Sequence, residues 1–239
     1  MKINIDQAKG MLLGMAVGDA LGTTLEFSQP SANDKLHTEM IGKGPFNLPA
    51  GTFTDDTSMG LAMASSLIDR EEFDPIDVMQ EFWKWYQDGK YSPEERCFDI
   101  GNTTRDGLND WSSNYKKPYA GSVDTDSSGN GGIMRICPII IWNRHSYENA
   151  MVDAVRSSML THASDKCIRY AQAMASVLWH GSLDDGAMYK PELQEPENFG
   201  SNGNPFSGGY VAETFSAASY AVKTTSSFED AIVQAVNYR

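Results

Sequence analysis

Cysteine is scarce in this chain, and its placement rules out two common uses. Cys97, Cys137 and Cys167 lie far apart with no C-x-x-C pair. An odd, scattered set excludes a disulfide framework and a cysteine zinc site, and it points to a reducing compartment. Long hydrophobic runs are missing too. The opening Met1-Lys2-Ile3-Asn4-Ile5-Asp6 lacks the apolar core of a signal peptide, and the following apolar stretch is broken by Gly14, Gly18 and Asp19 before it can span a bilayer. A cytoplasmic protein without membrane contact is expected. Positive charge is the third shortage, with 19 Lys and Arg against 32 Asp and Glu and a formal net charge of −13. No basic block appears, so a nucleic-acid surface is not expected. A phosphorylated small ligand stays admissible if backbone N–H groups or a bound metal offset the negative field. Also absent are a G-x-S-x-G elbow, an H-E-x-x-H pair and a Walker loop, which leaves no nucleophile–base arrangement.

What is present is 239 residues of ordinary soluble composition, enough for one well-packed domain or two small ones. Helical patterning dominates. An apolar helix is predicted from about Asp6 to Gly22, with Gly10, Gly14, Gly18 and Gly22 on one face, leaving a groove for close approach of another backbone. Asp74-Pro75 reads as an N-cap and first helical residue, opening a helix through Trp83, Trp85 and Tyr86. Further helices are predicted near Ile100–Trp111, Tyr147–Leu160, Asp165–His180, Tyr210–Val222 and Phe228–Val236, the last opened by a Ser226–Glu229 capping box. Gly181–Gly209 reads as one long loop, either a lid or a surface excursion. No period-2 strands alternate with these helices, so a single all-α domain is expected.

The segment Thr54-Asp55-Asp56-Thr57 carries the strongest chemical signal. It stands before Met59, Leu61, Ala62, Met63, Ala64, Leu67 and Ile68, apolar on nearly every face, so an internal helix is predicted with Thr54 as N-cap. Two carboxylates about 4 Å apart repel by roughly 4 kcal/mol at an effective dielectric near 20, so at the end of a buried helix they call for a cation. Their hard oxygens suit magnesium, manganese or calcium. A capped helix with a solvated acidic first turn is the alternative. Asp124–Gly132 can turn successive backbone N–H groups toward an anion, or can be a plain Asn-Gly turn. Glu26 follows the glycine helix, Asp99 and Asn102 sit where another helix start needs capping, and Thr161-His162 lies between two helices.

Taken in order, Gly10-x3-Gly14-x3-Gly18-Asp19-Ala20-x-Gly22, Glu26, Thr54-Asp55-Asp56-Thr57, Gly129-Asn130-Gly131-x2-Met134-Arg135 and Thr161-His162 resemble the ADP-ribosylglycohydrolase family, from near the N-terminus to Arg239. The resemblance implies a compact orthogonal all-α domain with a two-metal magnesium or manganese site, acting on an ADP-ribosylated protein or an ADP-ribose-containing small molecule. On matching positions it implies Thr54, Asp55 and Asp56 as metal ligands. Glu26, Asp56 and Asp99 would be the catalytic carboxyls. Ser128, Gly129, Asn130, Gly131, Met134, His162 and Asn102 would contact substrate. One departure stands out: family members follow a segment like Phe228–Asn237 with an Asp-x-Asp-Thr motif that completes the metal shell, whereas this sequence reaches Arg239 where that motif would begin. A C-terminally incomplete domain with an incomplete second metal site is therefore expected. The function implied is metal-dependent removal of ADP-ribose; a non-catalytic ADP-ribose binder and a calcium-stabilised structural domain are the alternatives.

Overall fold

A computed structural model describes residues 3–28, 35–114, 117–183 and 208–238. Ten α-helices carry these residues: α1 (Ile5–Gly22), α2 (Asp55–Arg70), α3 (Pro75–Asp88), α4 (Asn102–Ser113), α5 (Gly131–Met134), α6 (Cys137–Trp142), α7 (Tyr147–Met159), α8 (Asp165–His180), α9 (Val211–Thr224) and α10 (Phe228–Val236). Among the described residues β-pairing is limited to isolated bridges, so the fold is all-α as expected. No helix among them is long and apolar enough to cross a membrane. Most of the loop predicted over 181–209 lies outside the described residues.

Local chemistry sets the helix ends. Asp74 caps α3 by accepting from the Ile76 and Asp77 N–H groups, with Pro75 in the first turn. Val78, Met79, Phe82 and Trp85 then recur at helical spacing and are fully buried. Asp77 ties α3 to α2, accepting from Ser66 Oγ at 2.7 Å and Arg70 Nη2 at 2.6 Å. Ser164 caps α8 through Cys167 N–H, and Gly181 closes it at φ +65°, a left-handed position that favours glycine. The cap of α10 is shifted from the predicted register: Ser227 accepts from Asp230 N–H, and Glu229 takes no part in it.

Two expectations about burial are corrected. In α2, Met59, Ala62, Met63 and Leu67 are buried, but Leu61 and Ile68 are 41% and 68% exposed, so one face meets solvent. Among the described residues, no backbone packs on the glycine face of α1. A Cβ built on Gly10 or Gly18 meets nothing within 4 Å, and those on Gly14 and Gly22 meet only the Phe228 ring and a Val236 methyl. The core lies instead where α2 packs against α3 and against α6, continuing through α7, α8 and α9 around Phe82, Trp85, Trp111, Tyr170 and Phe215.

Candidate active site

Thr54 occupies the N-cap position of α2, yet its side chain does not cap the helix. That task falls to Asp19 in the last turn of α1. Its carboxylate accepts from Thr54 N–H at 2.9 Å, Thr54 Oγ1 at 2.8 Å, Thr57 N–H at 3.1 Å and Thr57 Oγ1 at 2.6 Å. An acid in a last turn opposes its own helix dipole. Placed against the positive end of α2, the same charge becomes favourable and satisfies two amides that the helix start leaves unpaired. The turn bearing Asp55 and Asp56 is thereby fixed from another helix. Sequence reading missed Asp19; the available signal was an acid misplaced at the end of an apolar helix.

Around this turn the carboxyls accumulate. Glu26 follows a 3-10 turn that extends α1, and Asp99 stands three residues before α4. Burial, then Asp99 and then Asp56 push the Glu26 carboxyl up to about 9. Asp55 is raised well above the usual carboxylate range by burial, then by Asp56, Asp99 and Glu26. Asp56 is pushed up to about 7 by burial, then by Asp19 and Asp99. Asp99 is raised chiefly by burial and also by Asp19, although a hydrogen bond with Glu26 and the Ile100 N–H oppose the shift. Asp19, Glu26, Asp55, Asp56 and Asp99 thus share one field, brought together from four places in the chain. Among the described residues, the buried Asp99 Oδ2 has no hydrogen-bond partner, so one oxygen of the cluster lacks a donor.

The chemistry of this set fits a divalent cation: hard oxygens, excess negative charge and a buried oxygen without a donor. Among the described residues, no three acidic, imidazole or thiol groups converge tightly enough to enclose an ion as they stand. Thr54 Oγ1 lies within this set, donating to Asp19.

In the glycine loop, Gly129 N–H donates to Ser127 O at 2.9 Å. Ser128 is 1% exposed, and its hydroxyl is engaged with Thr125 O at 2.7 Å and Ser164 Oγ at 2.8 Å. Asn130 turns its amide to Thr214 Oγ1, while its N–H is bonded to Gly209 O. The helix after the loop, α5, is only four residues long, too short for a strong dipole. The glycines make room for His162. A Cβ on Gly131 would stand 2.4 Å from His162 Cε1, and one on Gly129 3.1 Å from its Nε2. His162 is 2% exposed, and burial together with the Arg135 charge lowers its pKa to about 3. Met134 packs partly buried against the core. Asn102 is exposed in the first turn of α4, whose N-cap is Gly101 without a side-chain cap, so it caps nothing. Thr103 Oγ1, beside it, reaches Ser127 O at 3.4 Å and ties this turn to the loop.

Arg135 joins the two halves. It is fully buried under the Phe82 ring at 4.6 Å. It donates to Met59 Sδ, one helical turn beyond Asp55, and to Thr161 Oγ1, next to His162. The Asp55 charge supports its protonation, while burial lowers its pKa to about 9. A separate cleft of about 240 Å³ lies between α4 and the loop, lined by Thr103, Asp106, Asp110, Ser122 and Ser127. Ser127 belongs to the Asp124–Gly132 segment singled out from the sequence.

A family model described as ADP-ribosylglycohydrolase matches residues 2–239. The chain is 38% identical to the ADP-ribosylarginine hydrolase Tri1 of Pseudomonas putida, over 98% of its own length and 66% of the relative's. It is 27% identical to the ADP-ribosyl-[dinitrogen reductase] glycohydrolase of Rhodospirillum rubrum, over 97% of this chain and 79% of that one. A solved structure titled ADP-ribosylglycohydrolase-related protein complex superposes with a TM-score of 0.75 at 32% identity, covering 97% of this chain and 80% of its own. The chain thus spans about two thirds of the length of the Pseudomonas hydrolase.

Proposed function

Since the chain belongs to the ADP-ribosylglycohydrolase family, we propose that it hydrolyses the bond between ADP-ribose and a modified side chain, with ADP-ribosylarginine as the favoured substrate. The support for arginine is that the Pseudomonas relative bears that activity in its name. The observation carrying the proposal is the gathering of Glu26, Asp55, Asp56 and Asp99 in one field, beside a turn held by Asp19. Thr54, Asp55 and Asp56 would hold magnesium or manganese, which when bound polarises the ribose and supplies a water of lowered pKa.

The chain's own groups do the rest. Glu26 and Asp99 lie against each other in the same field, which suits them to hold a proton between them and pass it to the departing side-chain nitrogen. Ionised carboxylates nearby offset the positive charge that grows on the sugar as the bond breaks. The glycine loop from Ser128 to Gly131, with Met134 and His162 beneath and Asn102 at its rim, would seat the nucleotide sugar. Release of ADP-ribose from ADP-ribosylarginine and ADP-ribosylserine peptides with added Mg2+ or Mn2+ tests the reading. Turnover of the arginine peptide is expected, and undiminished turnover in Asp55→Ala/Asp56→Ala would end it. One rival is an ADP-ribose binder without turnover, since among the described residues no three candidate ligands converge as they stand. Calorimetry showing ADP-ribose binding at saturating metal, with no hydrolysis, would decide for the rival.

A further inference from the structure

Arg135 is hard to justify as a stabilising residue. It is buried to 0% exposure, and among the described residues none of its hydrogen bonds goes to a carboxylate and its Nε has no partner. A buried guanidinium that hydrogen-bonds no carboxylate, with only the Asp55 charge acting on it from a distance, is costly to desolvate. Its contacts are ordered nonetheless. Nη2 donates to Ser157 O at 3.3 Å and to Thr161 Oγ1 at 2.7 Å, and Thr161 Oγ1 lies 2.7 Å from His162 Nδ1.

Proton positions follow from the donor inventory. Arginine carries donors only, so Thr161 Oγ1 must accept from Nη2. The threonine still has its own proton to give, and the acceptor within reach is His162 Nδ1. An imidazole whose Nδ1 accepts carries its proton on Nε2. The opposite arrangement would aim two donors at Oγ1 and leave the hydroxyl proton without an acceptor. Among the described residues nothing hydrogen-bonds Nε2, although the histidine is 2% exposed. That atom would stand 3.1 Å and 3.0 Å from Cβ atoms built on Gly129 and Gly131, so the ring lies directly against the loop.

We propose that Arg135 and Thr161 are positioning residues that lock neutral His162 with its proton on Nε2, so that one N–H donor faces the glycine loop from below. The partner it fits is an oxygen acceptor, a phosphate or hydroxyl oxygen of a nucleotide sugar seated on that loop. This use of the donor rests on the proposed ADP-ribose reading; the lock itself rests on the hydrogen bonds. Burial and the adjacent guanidinium charge both disfavour the doubly protonated ring, which agrees with a neutral imidazole.

The chain contains four histidines, so 15N-histidine labelling of the whole protein resolves them, with His162→Gln for assignment. His162 is expected to show an unprotonated Nδ1 and a protonated Nε2 at neutral pH. Thr161→Val should abolish that fixed pattern and weaken ADP-ribose binding about tenfold by calorimetry, the size of a lost hydrogen bond to a charged group. Thr161→Ser, which keeps the hydroxyl, should restore both. A ring protonated on Nδ1, or an unchanged pattern in Thr161→Val, overturns the lock. If the lock is seen but the wild-type protein binds no ADP-ribose, the lock stands and the reading of the loop as a nucleotide-sugar site falls.

Discussion

Among single residues, Asp19 carries the most structure per atom. One carboxylate satisfies two amides and two hydroxyls that otherwise stand unpaired at the mouth of α2. Asp19→Ala should therefore cost about 3 kcal/mol by urea unfolding, because buried donors left without partners cost about 1–3 kcal/mol each and partial access to water offsets part of that. A loss under about 0.5 kcal/mol would show that Thr54 and Thr57 find other acceptors. Gly131→Ala tests the close approach of His162: a methyl 2.4 Å from Cε1 forces a shift and should cost about 1–3 kcal/mol by overpacking. Glu81 on α3 carries a pH prediction. Burial alone would raise its carboxyl, but hydrogen bonds from Lys84, Lys90 and Tyr91 outweigh it and hold the pKa at about 2. Its contribution is thus present above its ordinary pKa of 4.5 and is lost as pH falls toward about 2. Because Lys84 and Lys90 are 47% and 46% exposed, about 1 kcal/mol is a fair size. Stability of wild type and Glu81→Gln should differ at pH 7, and the difference should shrink below pH 4.5 and vanish below about pH 2; a constant difference would contradict the assignment.

At the level of elements, the readable helices were those with a cap and a regular apolar face. Asp74-Pro75 announced α3, and the Asp165–His180 pattern matches α8 end to end. Helices α5 and α6 were not separately legible, since four and six residues give too few turns to show a period. Burial of α2 was overread because Leu61 and Ile68 are apolar, and composition does not tell which face a neighbour covers. The consequence is measurable. Met63→Ala, in the buried face, should cost about 2–5 kcal/mol, whereas Ile68→Glu should change stability by no more than about 0.5 kcal/mol. Equal losses at both positions would return α2 to the interior. The acidic residues of the site stood out as residue types, but Asp19 was hidden by the apolar helix around it. The role of His162 as a wedge under Gly131 depends on a contact 31 positions away in the chain, which no local spacing encodes.

For the molecule as a whole, a net charge of −13 makes a cluster of acidic side chains more costly, since the distant charges add to the local repulsion. A cation that binds the folded form relieves that repulsion and stabilises by mass action, about 2.7 kcal/mol at one hundred times its Kd. Saturating Mn2+ should raise Tm by several degrees in the wild-type chain and by much less in Asp55→Ala/Asp56→Ala. The same pair of proteins gives the most direct test of the central claim, that the carboxylates at the mouth of α2 are the working end of an ADP-ribose hydrolase. That measurement is the rate of ADP-ribose release from an ADP-ribosylarginine peptide at saturating Mn2+. The account predicts release by the wild-type chain and a loss of at least about a thousandfold in the double variant, the scale expected when principal transition-state stabilisation is removed. Equal rates in the two proteins would contradict it.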